Sequence, residues 1–278
     1  MSAVMQYELP AKSRTVPWLA LKTSPMGPPG AVVTEHEGAR VVTVPGLYCV
    51  SHIIEGPEKL IIADVGSATD IPYLESAVKW LDKPVAYVIP THLHFDHIMG
   101  IDVTAGHFGA SVALSPAAWD LVTRRRKLRF PGLRTVHHFF LPWVWQGLPG
   151  ARKEDIPDCF DFGFPWSKHC FTSPLIKLNY DEELPHAPGW TVLDTPGHSD
   201  ECNCLWNEEA GFLVCGDCIS GFEGGEWDPL ITDLPSYRET AERLKTLNVR
   251  AFFFGHGPVQ TGNDMMSAVH DKYKVFSR

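Results

Sequence analysis

The chain has 278 residues, 24 Lys and Arg against 33 Asp and Glu, a formal charge of −9 and 44% hydrophobic residues. A chain of this size can bury about 70% of the surface it exposes when unfolded, so a full core needs no disulfide staples, and disorder or a coiled coil is disfavoured. The net acidity argues against an extended nucleic-acid or anionic-membrane footprint, because the summed field repels phosphate.

The first residues, MSAVMQYELPAKSRTVPW, lack the basic and apolar regions of a secretory signal, and no stretch holds 18 consecutive apolar residues. These features read as a cytoplasmic protein without membrane insertion. Residues 1–30 carry Pro10, Pro17, Pro25, Pro28 and Pro29 with little periodicity and read as an extended arm ahead of a domain over 31–278. From Ala39 to Val65 the runs ARVVTV, LYCVSHII and LIIADV read as strands broken at Pro45-Gly46 and Gly56-Pro57. Ile71, Leu74, Val78 and Leu81 then recur at helical spacing, with Asp70 as N-cap. Val85 to Ile89 is a strand followed at once by THLHFDH, which places the histidines beyond its C-terminal end. A strand and a helix are expected across 111–126, and a helix and then a strand across 234–254. The segment 123–180 breaks this alternation. It opens on Arg124, Arg125, Arg126, Lys127 and Arg129, then concentrates ten aromatic residues between Phe130 and Phe171, including Phe139, Phe140, Trp143, Trp145, Phe160, Phe162, Phe164 and Trp166. It reads as an insertion, either a lid or dimer element for an apolar substrate portion or a structural subdomain.

The chemistry-bearing signal is His92-Leu93-His94-Phe95-Asp96-His97. Borderline first-row metals favour neutral imidazole nitrogen with carboxylate oxygen, and histidines two apart on an extended loop point the same way. One tetrahedral site cannot use all four groups plus distant ligands, so the spacing suggests two neighbouring metals. Two such cations lower the pKa of a shared water and polarise a substrate oxygen, the chemistry of metal-assisted hydrolysis.

With these motifs the sequence resembles the metallo-β-lactamase superfamily. Ala63-Asp64-Val65-Gly66, Thr195-Pro196-Gly197-His198-Ser199, Cys215-Gly216-Asp217 and Gly255-His256-Gly257 follow in family order. The resemblance implies an α/β fold, the αββα four-layer sandwich, here with an aromatic-rich insertion. It implies one metal on His92, His94 and His198, a second on Asp96, His97 and His256, and Asp217 bridging the two. Asp64 would orient the HLHFDH loop by hydrogen bonds. Asp96 and Asp217 are the implied catalytic carboxylates, with Asp96 passing a proton to the leaving group. The implied cofactors are two divalent ions, Zn first, with Fe or Mn as alternatives.

Departures from the pattern narrow the function. Asp217 argues against antibiotic hydrolysis, because the zinc β-lactamases of this superfamily typically lack a bridging carboxylate there. Only 21 residues follow Gly257, fewer than the helical domain with which glyoxalase II-like enzymes grip glutathione. Flavodiiron relatives carry Glu at the place of His94. What remains resembles the lactonases and small-ester hydrolases: a hydroxide held between two metals would cleave a small ester or lactone with an apolar portion. Two alternatives stay open: a mononuclear iron sulfur or persulfide dioxygenase, and a phosphodiesterase or non-catalytic ligand-binding protein of the same fold. The expected partner is a small-molecule substrate, with no nucleic acid and a homodimer as the usual symmetric default.

Weaker signals take plainer readings. The seven cysteines fit reduced thiols, and Cys215 and Cys218 read as packing beside the site. The Arg124–Arg129 run reads as a solvated helix end. His137 and His138 read as stacked or surface groups, and His36, His52, His107, His169, His186 and His270 carry no stronger functional claim.

Overall fold

The computed structural model describes residues 3–7, 31–130, 155–221, 225–272 and 274–277. The first sheet has eight strands in chain order: β1 (Ala3–Tyr7), β2 (Ala31–His36), β3 (Ala39–Pro45), β4 (Val50–Glu55), β5 (Leu60–Ala63), β6 (Val85–Ile89), β7 (Ser111–Leu114) and β8 (Leu175–Lys177). Neighbours from β1 to β5 are antiparallel, with Val42 opposite Val33 and Ile53, whereas β5 to β8 are parallel. The two Pro-Gly breaks fall where the antiparallel meander turns. Ala3–Tyr7, inside the expected N-terminal arm, adds to the edge of this sheet, an addition a five-residue run among prolines does not announce.

The second sheet comprises β9 (Glu183–Leu184), β10 (Ala187–Asp194), β11 (Asn203–Asn207), β12 (Phe212–Gly216), β15 (Ala251–Phe254) and β16 (Gln260–Thr261), in the order β16-β15-β12-β11-β10-β9. Only β12 and β15 are parallel neighbours. A two-stranded ribbon, β13 (Ile219–Ser220) and β14 (Glu226–Trp227), follows β12. The helices are α1 (Ile71–Leu81), α2 (Phe95–Ile98), α3 (Ile101–Phe108), α4 (Pro116–Thr123), α5 (Asp158–Asp161) and α6 (Leu234–Leu244).

Strand alternation builds four layers. Val41, Ile54, Ile61, Tyr87 and Ile89 of the first sheet face Val192, Leu205, Phe212, Val214 and Phe253 of the second, forming the central core. The alternate residues Val42, Ile53, Ile62, Val88 and Val112 pack outward on Leu74, Ala77 and Leu81 of α1, Ile101 and Ala105 of α3, and Leu121 of α4. On the far side Leu213, Cys215, Phe252 and Phe254 meet Tyr237, Ala241 and Leu244 of α6. Each sheet is covered on both faces, so its strands read as continuous apolar runs rather than as an alternation. The result is the expected αββα sandwich.

Asp70 behaves differently from the expectation. It directly precedes α1, yet its carboxylate makes no capping bond and instead accepts the Leu47 N–H at 2.9 and 3.0 Å, pinning the turn between β3 and β4. Ser67 caps the short turn that leads into the helix by accepting from the Thr69 N–H. Pro72 in the first turn lacks the donor a capping side chain would satisfy.

Within 123–180, residues 131–154 lie outside the described residues, and with them Phe139, Phe140, Trp143, Trp145, His137 and His138. The returning chain is fixed at buried Asp155, which accepts the Tyr48 hydroxyl at 2.7 Å and the Ser67 hydroxyl at 2.9 Å. Phe162 then joins the outer core, and Phe164 stacks on Phe95 with ring centroids 4.9 Å apart. Arg124 to Lys127 are exposed beyond α4, as a helix end would be, but Arg129 pairs with Asp200 and Asp233. All seven cysteines are free thiols, and Cys215 and Cys218 are buried in the outer core beneath the second sheet.

His52 links the two sheets. It is buried on β4, and its Nε2–H donates to the Phe254 carbonyl at 2.8 Å while Nδ1 accepts from the Thr43 hydroxyl at 3.0 Å. Burial lowers its pKa from 6.5 to about 4. The unfolded chain therefore binds the extra proton between those values, and the contribution to stability, complete above pH 6.5, is lost as pH falls towards 4. In urea unfolding, the parent should lose about 2 kcal/mol more than His52→Gln between pH 7 and pH 5. Equal losses in the two proteins would show that His52 is not held neutral.

Candidate metal centre

The strand ends assemble the site. Asp64 follows β5, His92 and His94 follow β6, His198 follows β10, Asp217 follows β12 and His256 follows β15. β5 and β6 are parallel, and β10 and β12 both run antiparallel to β11, so these loops gather at one edge of the sandwich. Asp96 and His97 sit on the single turn of α2. All eight sequence-predicted residues come together there, each 6% exposed or less.

Two groups of donors form. The ligand atoms of His92, His94 and His198 lie within 4.8 Å of one another, as do those of Asp96, His97, Asp217 and His256. In the first group His198 Nε2 is 3.0 Å from His94 Nδ1. In the second, His97 Nε2 is 3.3 Å from His256 Nε2, and Asp96 Oδ2 is 3.3 Å from His256 Nε2. Asp217 reaches both: Oδ1 is 3.3 Å from His97 Nε2, and Oδ2 is 3.3 Å from His256 Nε2 and 3.9 Å from His198 Nε2.

Asp64 sets the tautomers of two of these histidines. Its carboxylate accepts the Thr91 N–H at 2.7 Å, the Thr91 hydroxyl at 2.8 Å and the His97 Nδ1–H at 2.9 Å. Since the Thr91 hydroxyl proton is committed to Asp64, the 3.2 Å contact with His92 Nδ1 is a donation from the ring to Thr91 Oγ1. The Nε2 lone pair of His92 is then free, and that buried atom has no hydrogen-bond partner among the described residues. A buried imidazole nitrogen left without a partner beside two others is what a cation site requires. Asp64 itself holds φ +57°, in the left-handed region, a strained conformation that persists where surrounding contacts over-determine it. Two glycines permit the close approach. A side chain on Gly255 would place Cβ 2.4 Å from Asp217 Oδ1 and His97 Cε1, and one on Gly216 would meet Thr91 Oγ1 at 2.2 Å.

The electrostatics divide the groups. Burial lowers His92 well below its ordinary value, and burial with neighbouring His198 lowers His94 to about 3, so both are neutral. Burial also acts on His97 and His256, but Asp217 and Asp64 raise His97 well above the usual range, and Asp217 and Asp96 raise His256 to about 9. His198 is raised because Asp228, with Asp217, outweighs its burial. Asp96 and Asp217, though buried, are held low by His256 and His97.

Three contributors carry no motif in the sequence. Asp228 faces His198 Nδ1 at 3.5 Å while accepting from the Leu230 N–H at 2.7 Å and from Ser220. Asn203 donates to the Pro90 and Thr91 carbonyls at 3.1 and 2.8 Å, holding the start of the histidine loop. Glu201 accepts from Leu93 and Ser199, one residue from three of the histidines. Aromatic rings flank the centre: Phe130 lies 5.1 Å from the His94 ring and stacks with Phe164. A groove of about 890 Å³ at the opposite ends of the strands, bordered by Glu37, Arg40, Gly56, Lys83 and Gly189, holds none of the site residues.

Comparison with known proteins agrees with the architecture. Among curated relatives, the chain is 24% identical over 204 residues to the beta-lactamase-like protein 2 homolog of Caenorhabditis elegans, covering 72% of this chain and 53% of that protein. It is 26% identical over 194 residues to the probable metallo-hydrolase YflN of Bacillus subtilis (strain 168), covering 65% of this chain and 67% of that one. The chain thus spans about half the length of the nematode relative. Among solved structures, TTHA1623 in a di-iron-bound form superposes with a TM-score of 0.53 at 21% identity, over 84% of this chain and 98% of that one. Residues 44–256 match the family model of the metallo-beta-lactamase superfamily, and the chain belongs to that superfamily.

Proposed function

We propose that the protein is a dinuclear metal hydrolase acting on an ester or lactone bond in a small substrate with an apolar portion. One observation carries the reading: two buried donor groups meet at one carboxylate, Asp217, whose oxygens lie 3.3 Å from the His97 and His256 nitrogens of the second group and 3.9 Å from His198 Nε2 of the first. His92, His94 and His198 would hold one ion and Asp96, His97 and His256 the other, with Asp217 common to both. The donor set is imidazole nitrogen and carboxylate oxygen without thiolate, which suits zinc, iron or manganese. When bound, a pair of divalent ions supplies Lewis acidity and lowers the pKa of water towards neutrality.

The chain's own residues account for the rest. Asp64 keeps His92 and His97 in the tautomers that present Nε2. Asp96, 5% exposed and held ionised chiefly by His256, would carry a proton to the leaving group. Phe130, Phe95 and Phe164 form an apolar flank against the histidine loop, suited to an alkyl or aryl portion. The relative named a probable metallo-hydrolase and the di-iron form of TTHA1623 lend support from similar chains.

The test is metal analysis of protein purified without added metal, followed by assay on esters, lactones and phosphoesters. Two divalent ions per chain with ester or lactone turnover is the expected result. One iron per chain with thiol-dependent oxygen uptake would replace this reading with a sulfur dioxygenase. Protein that neither holds nor takes up metal would overturn the ligand assignment.

A further inference from the structure

The three nitrogens of the first donor group arrive from different sheets. His92 and His94 sit on the loop after β6, whereas His198 sits on the loop after β10. Between the sheets lies an apolar core, which fixes separation but not the relative placement of two loops at its rim. Some directional contact has to set the distance from His198 to His92 and His94. Glu201 makes it. Its Oε1 accepts the Leu93 N–H at 2.9 Å and the Ser199 hydroxyl at 2.9 Å. Leu93 lies between His92 and His94, and Ser199 follows His198, so one oxygen atom binds both loops within one residue of all three ligands.

The environment is specific to that task. Glu201 is 1% exposed, and Oε2 has no hydrogen-bond partner among the described residues. The start of the same histidine loop is held from this stretch of chain as well, since the Asn203 N–H donates to the Thr91 carbonyl at 2.8 Å, and the Ser115 hydroxyl after β7 contacts the Glu201 carbonyl at 3.5 Å. A buried carboxylate is an expensive way to accept two hydrogen bonds unless its reach places the atom where no shorter acceptor can.

We propose that Glu201 is a positioning residue that clamps the His92-His94 loop to the His198 loop and so tunes the cation affinity of that group alone. The inference rests on the metal-centre reading for the identity of the group, and on the two hydrogen bonds for its mechanism. Reach, rather than charge, is the operative property. Glutamine keeps the acceptor oxygen at the same distance, aspartate keeps the charge but withdraws the oxygen by one methylene, and leucine removes the acceptor.

The experiment titrates metal-free protein with Co(II), read by its visible absorption and by chelator competition. It uses two backgrounds: Asp96→Ala with His97→Ala, which leaves the first group, and His92→Ala with His94→Ala, which leaves the second. In the first, Glu201→Asp and Glu201→Leu are expected to weaken Co(II) binding about 10- to 100-fold, the usual scale for losing a group that orients a ligand. Glu201→Gln is expected to stay within about threefold of its background. In the second background all three should stay within about threefold. Circular dichroism accompanies each titration, and if the leucine variant does not fold, the contrast between aspartate and glutamine decides. Parent-like affinity for aspartate, equal loss in both backgrounds, or a loss with glutamine as large as with aspartate would overturn the proposal. Failure of the metal-centre reading is separable, since then neither background binds Co(II) even with Glu201 intact.

Discussion

Protein carrying Asp217→Ala is expected to load at most one divalent ion per chain and to lose hydrolytic activity by at least about 100- to 1,000-fold, the scale on which removing one stabiliser of developing charge acts. Among the described residues Asp217 is the one carboxylate within 4 Å of histidine nitrogens in both groups. Two cations held side by side repel each other, and an anionic oxygen shared between them is what offsets the repulsion. Alanine removes that oxygen from a site whose walls cannot collapse inward, because Gly216 and Gly255 already bring backbone against Thr91 and His97. Asp217→Asn keeps the shape and one acceptor but loses the charge, so it should fall between parent and alanine in metal content. Elemental analysis and chelator competition on the three proteins check the order. Two ions bound to the alanine variant at parent affinity would show that Asp217 does not bridge.

The site was legible in the sequence only where chemistry is contiguous or where family order carries it. His92, His94, Asp96 and His97 lie within six residues and declare metal chemistry by composition alone. His198, Asp217 and His256 are ordinary single residues until their neighbours Gly197, Gly216, Gly255 and Gly257 place them at strand ends, which the order of motifs supplies and periodicity does not. Glu201, Asp228 and Asn203 were not legible, because their partners are backbone groups and ring nitrogens from distant segments brought together only by the packing of two sheets. The available signal was an acidic residue entering the apolar run CNCLW, a place where a charge needs a reason. Asp70 takes the N-cap position that the sequence indicates, but its carboxylate goes to another nearby donor, the Leu47 N–H, which the sequence does not show. Arg129 reads in sequence as part of a helix end, whereas its partners Asp200 and Asp233 come from about 70 and 100 residues away.

Cation loading of the second group should depend on pH more steeply than loading of the first. In the metal-free protein at neutral pH, Asp217, Asp64 and Asp96 overcome burial and keep protons on His97 and His256, the latter until about pH 9. Both rings must become neutral to coordinate, so a cation entering this group displaces two protons. Below pH 9 its apparent affinity is expected to rise by up to about 100-fold per pH unit. In the first group His92 and His94 are already neutral, and only His198 is raised, so the limiting slope is about tenfold per unit. Calorimetric titration in buffers of different ionisation heat, using the single-group backgrounds, counts the protons released on each side. Two from the second group and one or fewer from the first is the expected result, and equal release from both would contradict the division of charge around Asp217. In acid an ion on Asp96, His97 and His256 is therefore expected to leave first, with any activity that needs both ions lost while the His92, His94 and His198 group is still occupied.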